Sequence, residues 1–168
     1  MRIGYACINT RMSCRATHTF RLASYSEERL VETVRENLGC LLRILEYNAA
    51  HGLLLFRIGS QLIPFASHPV NRFDWQGHFA SQFRKIGHFI RENGMRVSMH
   101  PDQFILINSP DEGIFARSVA ELRYHVQVLD LMELPRWAKV QIHVGGVYGD
   151  RQTSLRRFVE RYALLEPL

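Results

Sequence analysis

The stretch Ser98-Met99-His100-Pro101-Asp102-Gln103-Phe104 sets an imidazole, a carboxylate, an amide and an aromatic ring within five residues. It ends a short apolar run, Met95 to Met99, that reads as a buried strand. A second histidine ends a similar run at Val140-Gln141-Ile142-His143-Val144-Gly145-Gly146. Two imidazoles at the same end of neighbouring parallel strands point into one cleft. Imidazole suits Zn, Mn, Fe or Ni. A metal held there polarises a phosphodiester and lowers the pKa of a bound water. Two histidines do not complete such a site; carboxylates are also needed. Asp102 is a candidate, although its position better suits orienting a histidine or capping the loop. His68 also follows a strand and is placed in the same cleft. His18 lies in a basic loop, within reach of phosphate. His51, His78, His88 and His125 fall in or beside helix patterns and read as surface or packing residues.

Composition narrows the partner. The 168 residues carry a formal charge of +5, and 19 of the 21 basic residues are arginine, Lys85 and Lys139 being the only lysines. Arginine's planar fork fits phosphate and stacks on bases. Residues 1–26 hold Arg2, Arg11, Arg15 and Arg21 with no Asp or Glu, and interleave His18, Phe20 and Tyr25. Arginine mixed with aromatics is the composition of a nucleic-acid groove, and a solvated basic loop is the plainer alternative. No apolar run approaches the ~20 residues that span a bilayer. The chain starts in a strand-like pattern without a secretory h-region, so a cytoplasmic location is expected. Cys7, Cys14 and Cys40 show no zinc-ligand spacing and are odd in number, so reduced, structural thiols are expected.

The elements that must position these groups follow in order. Arg2–Cys7 reads as a strand, followed by the long loop to Tyr25. Ser26 caps a helix carrying Leu30, Val34, Leu38, Leu41, Leu42 and Leu45 and stopping near His51-Gly52. Leu53–Phe56 is a second strand. Asp74 caps a helix through Trp75, Phe79, Phe83, Ile86 and Ile90. Met95–Met99 is the third strand. A third helix spans Asp111 to Met132, with Phe115, Val119, Leu122, Val126 and Leu129 on one face. Lys139–Val144 is the fourth strand. Asp150 caps a last helix through Leu155, Phe158, Val159, Tyr162 and Leu165, and Pro167 closes the chain. Strands alternating with long helices are parallel, so the class is α/β. No Gly-x-Gly-x-x-Gly follows the first strand and no phosphate-loop lysine motif occurs. Polar clusters sit just after strands, the pattern of an eight-fold β/α barrel, which needs ~250 residues and eight strands. The chain supplies four β/α units.

At these residues the chain resembles the N-terminal half of the UV damage endonuclease family. The matching text is Arg2-Ile3-Gly4-Tyr5 with Asn9-Thr10, Phe20-Arg21, Phe56-Arg57-Ile58-Gly59-Ser60 with Pro64-Phe65-Ala66-Ser67-His68-Pro69, Ser98-Met99-His100-Pro101, and His143-Val144-Gly145-Gly146-Val147-Tyr148-Gly149-Asp150. The resemblance implies a DNA-repair enzyme on a TIM-type (β/α)8 barrel that nicks damaged double-stranded DNA 5′ of pyrimidine photodimers with divalent metals, usually Mn2+. It implies His100 and His143 as metal ligands and His68 as a catalytic histidine of the cleft. It implies Tyr5 and Asn9 as lining the pocket for the extruded lesion. Gln103 and Phe104 then probe the strand opposite the damage. The family commonly has tyrosine where Phe104 stands; a wedge between bases needs an apolar ring more than a hydroxyl.

The family pattern continues into a fifth strand bearing a glutamate ligand and three further units. Residues 1–168 are therefore expected to form a single incomplete barrel domain, its C-terminal half absent, with Glu166 unsuited to replace that glutamate and activity weak or lost. A sugar isomerase or epimerase on a related barrel, and a non-catalytic damaged-DNA-binding fragment, are the alternative readings. The basic first loop and the Gln103-Phe104 wedge favour the nuclease, since a sugar pocket needs neither. Two strands would be bare edges, and Ile3, Leu55, Val97 and Ile142 are expected on an unwalled inner face. Self-association is the expected consequence.

Overall fold

A computed structural model describes residues 2–165. Four strands, β1 (Gly4–Ala6), β2 (Leu55–Ile58), β3 (Arg96–Met99) and β4 (Lys139–Val140), form one sheet in the order β1-β2-β3-β4. All three pairings are parallel. Each strand is followed by helix: α1 (Glu27–Ala50), α2 (Trp75–His78) with α3 (Ala80–Glu92), α4 (Glu112–Leu131) and α5 (Arg151–Ala163). Glu166 and Pro167 lie outside the described residues.

The helices begin where short polar side chains satisfy their first free N–H groups. Ser26, Asp74, Asp111 and Asp150 accept from the amides of Arg29, Gly77, Ile114 and Thr153, each an N-cap of the ordinary kind. The expected single helix after Asp74 is broken at Phe79 into α2 and α3. Against α3, Gly87 lies beneath the Met132 carbonyl, where a Cβ would come within 1.7 Å of that oxygen. The close approach of the α4 C-terminus to α3 therefore depends on a missing side chain.

Register sorts the strand residues into two faces. Gly4 pairs with Leu55 and Leu55 with Arg96; Ala6 pairs with Arg57, Arg57 with Ser98, and Ser98 with Lys139. These share the face away from the helices. Phe56, Ile58, Val97 and Met99 share the other face and are fully buried with Leu30, Leu41, Ile44, Phe83 and Ile90. This corrects the expected inner face. Of its four residues only Leu55 lies there; Ile3, Val97 and Ile142 fall on the helix side by alternation. The open face is mostly polar, and Val97 supplies core instead.

Four further expectations are revised. β2 runs two residues later than expected, so Arg57 belongs to the strand rather than to the loop after it. The expected stripe of α4 is rotated: Ser118, Leu122, Tyr124, His125, Val128 and Leu129 are buried, while Phe115, Val119 and Val126 are half-buried. On α5 the buried residues are Ser154 and Arg161, while Leu155, Val159 and Tyr162 are exposed. Cys14 and Cys40 are not free thiols but form a disulfide, with Cα atoms 5.5 Å apart, and Cys7 is free. The pair is 26 positions apart in sequence; no spacing rule reveals it, because the return of the first loop along α1 brings them together.

Candidate functional site at the strand ends

β3 delivers its last residue, Met99, into the core and His100 onto the strand end. β4 is short, but the Gln141 N–H donates to the Met99 carbonyl at 2.9 Å and carries the ladder one step further. His143 follows on the irregular segment after β4. The two imidazoles meet edge to face with ring centroids 4.6 Å apart, so the expected pair is brought together. Burial, the neighbouring His143 and the Arg57 guanidinium hold the His100 pKa below its ordinary value. His100 is therefore neutral at pH 7, with a lone pair free for a ligand.

The pair lines an open cleft of about 420 Å³ with Cys7, Thr17, Arg57 and Gln103. Arg57 was legible as a polar group at a strand end but was given no role; Thr17 is the lining residue that sequence reasoning passed over, because it reaches the cleft through the fold of the first loop, which has no periodic signal. Asp102 does not face a histidine as an orienter. Its Oδ1 accepts from the Phe104 amide at 3.2 Å and closes the turn, which presents the Phe104 ring 72% exposed at the loop tip. The base of this loop is firm: the Leu106 amide donates to Ser118 of α4 at 2.9 Å. Asn108 donates to the Gly146 carbonyl at 2.8 Å, tying the loop to the segment that carries His143.

The other predicted residues sit apart from the pair. Tyr5 and Asn9 are together, but their polar atoms are spent inside the fold. The Tyr5 hydroxyl donates to Asn48 at 2.6 Å and accepts from Asn9 at 2.7 Å, and Asn9 also accepts from the Arg11 amide. His68 is exposed, does not line the cleft, accepts the Val70 N–H on Nδ1 at 3.1 Å and packs edge to face on Phe65. Its neighbour Ser67 donates to Glu121 of α4, a carboxyl whose pKa burial raises.

The loop after β2 is held by Tyr124, whose hydroxyl donates to the Ser60 carbonyl and accepts from the Ile63 amide, each at 3.0 Å. Tyr124→Phe keeps the packing but leaves both backbone groups without a partner. An unfolding free energy lower by about 2 kcal/mol is expected, read as a lower urea midpoint at unchanged m-value.

The first loop carries the basic segment. Arg11, Arg15 and Arg21 are exposed. The backbone between them is pinned to α1: Asn37 accepts from the His18 amide and donates to the His18 and Leu62 carbonyls.

Among the described residues no three His, Cys, Asp or Glu side chains gather closely enough to hold a metal ion, and no helix is long and apolar enough to cross a membrane. The arrangement is a two-imidazole donor set with an adjacent guanidinium, at the strand ends of a parallel sheet and flanked by a projecting ring.

The family model described as "UV-endonuclease UvdE" matches residues 1–167. The UV DNA damage endonuclease of Clostridium perfringens (strain 13 / Type A) is 37% identical over 165 residues, 98% of this chain and 40% of that protein. That of Bacillus cereus (strain G9842) is 35% identical over 168 residues, 95% of this chain and 53% of that protein. The solved structure titled "Crystal Structure of SacUVDE" superposes with a TM-score of 0.94 at 42% identity, covering 98% of this chain and 56% of that one. The chain thus spans about half the length of the relatives it matches. With a matched model over nearly its whole length, the chain belongs to the UV-endonuclease UvdE family, whose named members are endonucleases for UV-damaged DNA.

Proposed function

We propose that the chain serves metal-dependent incision of double-stranded DNA 5′ of UV photoproducts, on four β/α units that form half of a TIM-type barrel. The observation that carries this reading is the His100–His143 pair, 4.6 Å apart at adjacent strand ends beside Arg57. The donor set fits a divalent metal in type: one imidazole is held neutral and both stand at the mouth of an open cleft. A divalent ion, Mn2+ by the family resemblance, supplies Lewis acidity and a bound water of lowered pKa.

The roles of the chain's own residues follow from their positions. Arg57 offers a guanidinium to a phosphate entering the cleft. Phe104 stands free at the tip of a loop braced at its base, suited to wedge between bases while Gln103 meets the cleft. Tyr5 and Asn9, bonded to each other and to Asn48, brace the end of β1; His68 stands outside the cleft and takes no part in the chemistry at the His100–His143 pair. The exposed arginines of the first loop follow the DNA backbone. A cytoplasmic location accords with such a substrate.

The experiment is incision of irradiated against intact plasmid with and without Mn2+. Two imidazoles place a metal poorly on phosphate, so nicking by this chain alone is expected to be slow and Mn2+-dependent. Equal nicking of intact DNA would sink the reading. Binding without nicking at any metal concentration would favour the non-catalytic damaged-DNA-binding alternative.

Two further outcomes are expected. His143→Ala lowers Mn2+ affinity at least ~10-fold by calorimetry. In the wild type, affinity persists somewhat below pH ~6.5, because a depressed His100 pKa keeps that nitrogen free of protons further into acid. Metal affinity indifferent to the substitution removes the pair. Separately, Gln103→Ala with Phe104→Ala erodes the preference for damaged over intact duplex. The salt slope should stay near −0.9 per neutralised phosphate, because wedge contacts specify while phosphate contacts position. Equal loss of affinity on both DNAs argues against the wedge.

A further inference from the structure

Between the last rung of the β4 ladder at Gln141 and the α5 cap at Asp150 the chain forms neither helix nor strand, yet it sets His143 beside His100. Among the described residues, one hydrogen bond reaches the backbone of 142–146: Asn108 Nδ2 donates to the Gly146 carbonyl at 2.8 Å. Asn108 is 1% exposed, and two helices hold it. From α5, Arg157 donates to the Asn108 carbonyl at 3.1 Å and Arg161 to the Ile107 carbonyl at 3.2 Å. From α4, Ser118 accepts the Leu106 amide at 2.9 Å. Gly145 faces the same carboxamide. It stands at φ +99°, and a Cβ there would fall 2.1 Å from Asn108 Oδ1 and 2.8 Å from its Cγ. Oδ1 is buried with no hydrogen-bond partner. A buried acceptor left unsatisfied is uncommon and calls for a reason. Here the Gly146 carbonyl alone orients the carboxamide, and the glycine lies where a donor to Oδ1 would stand.

We propose that Asn108 is a positioning residue for the incision site. Its bond to Gly146 sets His143 against His100 and joins the segment of the histidine pair to the loop that carries Gln103 and Phe104. The joint lies four residues after Phe104 on one side and three after His143 on the other. Both stretches are short, so a displacement of the Phe104 loop on damaged duplex is carried to the His143 imidazole. Imidazole ligands owe their placement to such outer contacts, and losing one typically costs ~10–100-fold in metal affinity. A residue that merely closed the base of its own loop would, on substitution, loosen that loop and the His143 segment alike. The role rests on the reading of the pair as a metal site, and the ring geometry of the metal-free protein separates the two.

The test compares three variants of the full chain. Asn108→Asp sets a carboxylate against the Gly146 carbonyl. Gly145→Ala forces the same contact apart from the other partner. Ser26→Ala removes only the α1 cap. In the metal-free wild type, NMR should show cross-relaxation between the ring protons of His100 and His143. Both site variants should lose it, and Ser26→Ala should keep it. Amide exchange at Val144, Gly145 and Gly146 should quicken at least ~10-fold in the site variants, while the Leu106 amide, bonded to Ser118, stays protected. By calorimetry, Mn2+ affinity should fall at least ~10-fold in the site variants and less than ~2-fold in Ser26→Ala. Circular dichroism checks each fold, and Gly145→Ala carries the test where Asn108→Asp does not fold. Retention of the ring contact in a folded site variant overturns the role. So does loosening of the Leu106 amide and the 142–146 backbone by the same factor. A wild type that binds no Mn2+ sinks the metal reading alone, and the ring contact still decides the positioning.

Discussion

Asn37→Leu is expected to lower the unfolding free energy by about 4 kcal/mol, a large share of the stability of a domain this size. Asn37 is fully buried on α1. Its carboxamide accepts from the His18 amide at 2.8 Å and donates to the His18 carbonyl at 2.9 Å and the Leu62 carbonyl at 3.0 Å. Leucine matches the volume and meets none of the three. Each backbone group left without a partner costs ~1–3 kcal/mol, and here three are left at once. The damage should concentrate in the first loop and the loop after β2, the two segments that bring Thr17 and Gln61 to the cleft. Hydrogen exchange at His18 should quicken more than in the α1 interior. A midpoint within about 1 kcal/mol of wild type would show that water or local rearrangement satisfies these groups.

The second large effect is in acid. His125 is fully buried on α4; its Nδ1 bonds to the Glu121 carbonyl at 2.7 Å, and Nε2 has no partner. Burial brings its pKa down to about 4, the bond to the Glu121 carbonyl opposing and the nearby His100 adding a smaller lowering. An unfolded histidine binds a proton near pH ~6.5. The unfolded chain therefore takes up protons first as pH falls, and the stabilisation present above pH ~6.5 is lost progressively towards pH ~4. At ~1.36 kcal/mol per pH unit the loss by pH ~4.5 is of order 2–3 kcal/mol. The Glu121 carboxyl beside it, with a raised pKa, works the other way, and His100 adds in the same direction. The clean readout is the difference between wild type and His125→Phe, which keeps a ring and removes the titration. The wild-type urea midpoint should fall relative to that of His125→Phe as pH drops from 7.5 to 4.5. Parallel curves would mean that His125 opens to water in the native state.

What the sequence made legible follows the range of the interaction. The N-caps depend on one side chain and an amide three residues on, and Ser26, Asp74 and Asp150 stand where expected; Asp111, expected as the first residue of its helix, is its cap. β3 was placed to within one residue because its apolar run is bounded by Gly94 and Pro101. The histidine pair was legible because parallel strands align their ends. The contacts that escaped join distant residues without any periodicity: Tyr5 to Asn48, His18 to Asn37, Tyr124 to Ser60, Cys14 to Cys40. The faces of β1, β3 and β4 were misassigned for a different reason. A strand with period two offers two equivalent phases, and apolar residues near one strand end do not choose between them. The helix-side packing of Phe56, Ile58, Val97 and Met99 makes that choice. α5 misled because its apolar stripe was taken as core-facing, whereas Arg161 turns inward to the carbonyls of Ile107 and Ser109.

Asn37, Cys40 and Arg43 lie along one stripe of α1, and all three grip the first loop: at His18, at Cys14, and by the Arg43 guanidinium on the Cys14 sulfur at 3.0 Å. As a polymer, the loop from Cys7 to Tyr25 is then several short closed spans, each end anchored, rather than one long tether. In the unfolded chain the covalent link between Cys14 and Cys40 alone removes conformational freedom worth ~3.5 kcal/mol on the chain-entropy scale. The exposed arginines of those spans have little disorder left to surrender when an anionic backbone arrives. Reduction of the disulfide should therefore leave the charge of the segment unchanged and weaken its grip through entropy alone.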